Sequence, residues 1–255
     1  MALLASLAMA HPTQREAAAA PLSRRALAWG VHLFTASAAV ADLLALLASS
    51  LGRFQEAVLW MLYALSVDSV DGMLARRVGV SRLLPEFDGR RLDDIVDYLT
   101  YVAVPAVFLV QAQLLPHWGF GALMMLASAY GFSQAQAKTS DQFFLGFPSY
   151  WNVVAFYCWL LELPPAWSAA AVVLLALLVF VPFAYLYPSR MPGLRRTNHA
   201  LSLVCMLLLT ASVLDPARGR AYHWVELSLA YPVFYLVLSA RWGGLRLPGA
   251  AARSS

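Results

Sequence analysis

The chain has 255 residues, of which 61% are hydrophobic and only 13% charged. Soluble domains carry roughly 45–50% apolar and ~25% charged residues, so this composition excludes an ordinary water-soluble fold, and the mean hydropathy of +0.64 agrees. The formal net charge of +4 comes from arginines scattered through polar connections instead of striped along one face, which argues against a nucleic-acid partner.

The expected class is an all-α, polytopic membrane helix bundle, long enough for about eight spans of ~20 residues. Residues 1–27 read as an N-terminal tail. Its first ten residues are apolar but lack a preceding basic segment, and His11-Pro12 and later charges interrupt them, so no signal peptide is expected. Apolar stretches follow near 28–50, 54–76, 93–114, 119–137, 149–163, 167–187, 198–214 and 221–240. Pro105 is expected to kink the third. Cys158 and Cys205 fall inside spans, where a thiol behaves as a small hydrophobe. Residues 241–255 form a C-terminal tail, and 28–240 read as one membrane domain. Alternating sides across eight spans leave Arg53, Arg218 and Arg220 on one side and the rest of the 18 Lys and Arg on the other. The positive-inside rule then puts both tails and the connection after the second span in the cytoplasm.

Two acidic clusters interrupt these apolar stretches: Asp68-Ser-Val-Asp71-Gly72-Met-Leu-Ala75-Arg76 and Gly89-Arg-Arg-Leu-Asp93-Asp94-Ile-Val-Asp97. Carboxylates at membrane depth are expensive, and they mark function by default. Asp68 and Asp71 are spaced i,i+3, and Asp93 and Asp97 i,i+4, so each pair projects from one helix face. Two facing helices would gather four oxygen ligands, a set suited to hard divalent cations such as Mg²⁺ or Mn²⁺. Two such ions would neutralise charges that a dry bundle cannot hold unpaired. Gly72 and Ala75 lack bulk and allow a flat group to approach the backbone. Gly89 relieves crowding ahead of Asp93. Arg76, two turns past Asp68, is placed to clamp a phosphate oxygen bidentately.

This pattern resembles the signature of the CDP-alcohol phosphotransferase family, an Asp-x2-Asp-Gly-x2-Ala-Arg segment followed by Gly-x3-Asp-x3-Asp. Every fixed position is met, by Asp68, Asp71, Gly72, Ala75, Arg76, Gly89, Asp93 and Asp97. The spacer of residues 77–88 is longer than the family's common one. That length, with Ala129-Tyr130-Gly131-Phe132 and the stretch Lys138 to Asn152, resembles the bacterial branch that uses choline. The resemblance implies transfer of a phosphatidyl group from CDP-diacylglycerol to choline with release of CMP. It also implies an inner-membrane homodimer whose active site faces the cytoplasm. Two metal ions, Mn²⁺ or Mg²⁺, would be held by Asp68, Asp71, Asp93 and Asp97, with Asp97 also the base. Asp68, Gly72, Ala75 and Gly89 would line the cytidine side, and Arg76 the diphosphate.

Choline is a quaternary ammonium without an N–H donor, so its site needs aromatic faces and a carboxylate. Asp141, Phe143, Phe144, Phe147, Tyr150 and Trp151 offer both, although a membrane-interface belt has the same aromatic composition. His32 and Thr35, one turn apart, could line the nucleotide pocket or simply pack. Asp42 reads as a bundle-facing hydrogen bonder, and Asp94 as a dipole partner at a helix start. Arg190, Arg195 and Arg196 read as headgroup contacts, and Glu86 and Asp88 as solvated. Two other readings stay open: the same chemistry on serine, inositol or glycerol 3-phosphate, and a divalent-cation transporter. The second leaves Gly72, Ala75 and Arg76 unexplained.

Overall fold

A computed structural model describes residues 20–134, 139, 143–187 and 194–245. Its frame is an antiparallel pair, α1 (Leu22–Ser50) and α2 (Phe54–Val78), joined by a three-residue turn. The inward face of α1 is small or polar: Ala28, Thr35, Ala38, Ala41, Asp42, Ala45 and Ala48 are buried. Large apolar side chains point outward instead, with Leu33 73% exposed. That inversion is what a lipid solvent dictates. Leucine gains nothing by leaving hydrocarbon, while small residues let backbones approach closely. Ala38 and Ala41 meet Ala64 and Val67 of α2 in this way.

α2 ends at Gly79, whose φ of 75° is the left-handed conformation that closes many helices. A single turn, α3 (Val80–Leu83), leads to α4 (Gly89–Tyr98), a five-residue π segment (Leu99–Ala103) and α5 (Val104–Gln111). Where a kink is expected at Pro105, the helix changes to a π segment that ends one residue before Val104. Proline cannot donate the backbone bond its turn requires, and the π segment lies directly ahead of it.

α6 (Gly119–Ser133), α7 (Trp151–Leu160) and α8 (Pro165–Val179) are shorter apolar helices. α9 (Arg195–Leu214) is followed by α10 (Pro216–Ala221), α11 (Trp224–Ser228) and α12 (Ala230–Trp242). Among the described residues, three helices, α1, α2 and α9, are long and apolar enough to cross a membrane. The fold is therefore a mostly helical membrane protein, with several expected spans realised as shorter or broken pieces. The stretch read as 149–163 yields only α7. Its start waits for Ser149, at φ 58°, and its end falls just before Glu162, at φ 50°.

The all-helical expectation needs one correction. β1 (Phe143–Leu145), β2 (Phe183–Leu186) and β3 (Gly244–Leu245) form an antiparallel sheet in the order β1-β2-β3. Phe144 pairs with Tyr185, and Ala184 with Gly244. The stretch read as a span to residue 187 turns into β2 because Pro182 disfavours helix at the residue before it. Gly146, at φ 82°, brings the chain so close to α8 that a Cβ there would lie 2.2 Å from the Val179 carbonyl oxygen.

The largest core cluster gathers Met61, Phe108, Met124, Trp151 and Phe156. Cys158 and Cys205 are buried and free, as expected of small hydrophobes.

Candidate metal centre

Three of the four motif aspartates converge. Asp68 and Asp71 on α2 and Asp93 on α4 each offer a carboxylate oxygen, and these atoms lie within 4.8 Å of one another. Asp97 is not in that group; it follows one turn after Asp93, at the end of α4. Asp71 is buried and Asp68 and Asp93 half-buried. Two carboxylates 4.8 Å apart repel by about 3–4 kcal/mol at an effective dielectric of ~20. An all-oxygen donor set this close fits a hard divalent cation, and such an ion removes the repulsion.

Neighbouring hydroxyls hold the carboxylates in place. Thr35 Oγ1 of α1 donates to Asp71 Oδ2 at 2.8 Å. Tyr101 of the π segment donates its hydroxyl to Asp68 Oδ2 at 2.5 Å. Bonds of this kind fix ligand orientation and leave the other oxygens for an ion. One residue earlier in the π segment, Thr100 Oγ1 donates to buried Asp42 Oδ2 at 2.8 Å. Asp42 is thus the bundle-facing hydrogen bonder expected of it. A π segment adjoining a functional site is a recurrent association.

The small motif residues serve identifiable contacts. Arg76 folds back along α2 over Gly72, so that a Cβ on Gly72 would lie 3.2 Å from its Nη1. The guanidinium therefore sits on the same face as Asp68. Ala75, one turn past Gly72 and Asp71, is half-buried. A Cβ on Gly89 would fall 2.6 Å from Cε1 of His32, a contact the ring could relieve only by moving. His32 is itself buried, with its ring centroid 4.4 Å from that of Phe87. Asp94 is exposed, off the ligand face.

Asp88 is more than solvated. Its Oδ1 accepts from the backbone N–H groups of Arg90 and Arg91, both at 3.1 Å, and caps α4. That cap starts the helix that delivers Asp93. Glu86 pairs with Arg25 at 2.9 Å.

The aromatic stretch divides. Trp151 is fully buried, with its Nε1 donating to Ser128 Oγ at 2.7 Å, and Phe147 packs on it edge to face. Both are core residues, so Trp151 cannot present a face to a small cation. Phe143 and Phe144 belong to β1, with Phe144 against Tyr187. Tyr150 connects to the carboxylates through Tyr101. Its ring centroid lies 5.6 Å from that of Tyr101, which bonds Asp68, and 6.1 Å from that of Tyr235 on α12. Asp141 and Arg190 lie outside the described residues. Arg195 and Arg196 are exposed in the first turn of α9.

Fold and site together define a helical membrane protein built round a carboxylate cluster that could hold a metal ion. No protein-family model matches the chain. It is 41% identical over 186 residues to a phosphatidylcholine synthase of Pseudomonas aeruginosa, covering 72% of this chain and 78% of that protein. A phosphatidylcholine synthase of Legionella pneumophila is 38% identical over 228 residues, 83% of this chain and 87% of the relative. A third, from Borreliella burgdorferi, is 29% identical over 217 residues, 84% and 93% of the respective chains. The chain belongs to the phosphatidylcholine synthase family.

Proposed function

We propose that the chain is a membrane transferase of phospholipid synthesis that moves the phosphatidyl group of CDP-diacylglycerol to choline and releases CMP. The observation that carries this reading is the convergence of Asp68, Asp71 and Asp93 in a chain of this family. The motif supports membership of the wider CDP-alcohol phosphotransferase family. One membrane domain over residues 28–240, about eight membrane crossings, a homodimeric assembly and an inner-membrane site facing the cytoplasm complete the proposal. The arginine bias supports that orientation.

Asp68, Asp71 and Asp93, with Asp97 as a further ligand, would hold two ions, Mg²⁺ or Mn²⁺. Bound there, the ions would supply charge neutralisation for the diphosphate and for departing CMP. The chain's own residues do the rest. Arg76, beside Gly72, binds the diphosphate, while Asp68, Gly72, Ala75 and Gly89 line the cytidine side. Thr35 and Tyr101 keep Asp71 and Asp68 in register. Asp97 orients the choline hydroxyl and takes up its proton. A carboxylate is a weak base, so positioning matters more than proton removal. The hydroxyl oxygen forms its bond to the phosphatidyl phosphorus as the bond to the CMP oxygen breaks.

For choline we place the trimethylammonium against Tyr150, with Tyr101 and Tyr235 as neighbouring faces. This narrows the wider set of Asp141, Phe143, Phe144, Phe147, Tyr150 and Trp151. Support comes from the continuity of Tyr235, Tyr150 and Tyr101 with Asp68. A cation gains roughly 0.5–2 kcal/mol from one good aromatic face. Tyr150→Ala is therefore expected to raise the choline KM by about three- to thirtyfold, at ~1.4 kcal/mol per decade. The KM for CDP-diacylglycerol should hold constant, and Tyr150→Phe should be milder because it keeps the ring. Trp151→Ala should instead lower the yield of folded protein, since emptying a buried Trp site costs about 3–5 kcal/mol. An unchanged choline KM in Tyr150→Ala would move the choline site elsewhere.

A further inference from the structure

A cavity of about 580 Å³ opens where the first turn of α1 meets α3 and the end of α2. Among the described residues, its charged lining consists of four arginines, Arg24, Arg76, Arg77 and Arg82, and includes no carboxylate. All four are exposed residues, and none of them is in an ion pair among the described residues. The acids of the adjoining spacer are engaged elsewhere: Glu86 with Arg25, and Asp88 with the start of α4.

Four like charges round one concavity repel unless an anion sits among them. Guanidinium forks match phosphate oxygens two at a time, which water-facing arginines can do. The volume is that of a small-ligand site. Val78 and Leu83 add apolar wall beside the charges, a mixture that suits the glycerol end of a lipid headgroup more than a free inorganic ion. Only Arg76 belongs to the aspartate motif. Arg24, Arg77 and Arg82 lie outside it, and the transfer chemistry gives them no task.

We propose that this cavity is a second phosphate-ester site, taking the headgroup of an anionic lipid at the membrane surface. It needs only a membrane and a phosphate ester, so it goes beyond the transfer reading and does not depend on it. Two lipids carry this chemistry: a bulk anionic phospholipid and CDP-diacylglycerol itself.

The test uses the full chain in phosphatidylcholine nanodiscs with and without phosphatidylglycerol. Native mass spectrometry counts the phosphatidylglycerol that stays on the released protein. Wild type should retain it, and the R24Q/R77Q/R82Q variant should retain about a hundredfold less, as expected for loss of three cations at a lipid surface. An R24K/R77K/R82K variant keeps the charge without the fork and should fall between the two. It also shows that any loss is not a folding defect, as does an unchanged size-exclusion profile. If retention is unchanged but the glutamine variant raises the KM for CDP-diacylglycerol severalfold in both discs, the cavity belongs to the substrate's own site and the second site is overturned. Unchanged retention together with an unchanged KM would overturn the site. Arginine-dependent retention by a protein that makes no phosphatidylcholine would leave the site standing and remove the transfer reading.

Discussion

Asp71→Asn is expected to lower turnover by at least about 10³-fold, equivalent to ~4 kcal/mol of barrier at 1.36 kcal/mol per decade. The substitution is nearly isosteric, and an asparagine oxygen can still accept from Thr35 Oγ1, which now sits 2.8 Å from Asp71. Packing at this buried position is therefore retained, and what disappears is the negative charge. Asp68→Asn and Asp93→Asn should behave alike, because all three carboxylates share one cluster within 4.8 Å. Removing one ligand from a site with few spares weakens ion binding and the neutralisation it supplies. Asp42→Asn is the matched control. It too is a buried carboxylate with a threonine donor, but it lies on α1, outside the cluster, and should stay within about threefold of wild type, below ~1 kcal/mol of barrier. The readout is CMP release from purified protein, with circular dichroism and monodispersity reported beside it. Equal losses at Asp42 and Asp71 would point to general damage instead of ligand loss.

The second large effect is expected on chelation. Dialysis against EDTA should take activity below detection, and Mn²⁺ or Mg²⁺ should restore it. The cause is electrostatic: without a cation, the carboxylates of Asp68, Asp71 and Asp93 repel one another and also the incoming diphosphate. A stepwise return with two apparent affinities would support two ions with Asp97 in the second set; a single step would support one ion on the three clustered residues. Full activity after exhaustive chelation would contradict the metal reading.

Much of this site is readable from helical spacing alone. The i,i+3 and i,i+4 intervals put Asp68, Asp71 and Asp93 on faces that the fold does bring together. Tyr101 was within reach of the same argument, because it lies two turns past Asp93 on the ligand face, yet its role becomes visible only with the bond to Asp68. Thr35 stood out as a polar residue in an apolar span, and Asp71 is its partner. Tyr235 carries no local signal, since α12 reaches Tyr150 across the fold and no spacing rule spans that distance. The N-cap by Asp88 could have been read from an acidic residue just before a helix start. Trp151 misleads for a physical reason: an indole in an apolar stretch satisfies a core as readily as it faces a ligand, and its Ser128 partner is distant in sequence. The three-stranded sheet was hidden because its strands, four residues or fewer, are too short for a period-two pattern to emerge from an apolar background.

The most direct test of the central claim is a panel assay. Purified protein in detergent–lipid micelles with Mn²⁺ receives CDP-diacylglycerol and, in separate reactions, labelled choline, ethanolamine, serine, inositol and glycerol 3-phosphate. One lipid product is expected, phosphatidylcholine, formed together with an equal amount of CMP. Efficient product from serine, inositol or glycerol 3-phosphate in place of choline would contradict the acceptor assignment. Metal uptake into sealed vesicles with no lipid product from any alcohol would contradict phosphatidyl transfer itself.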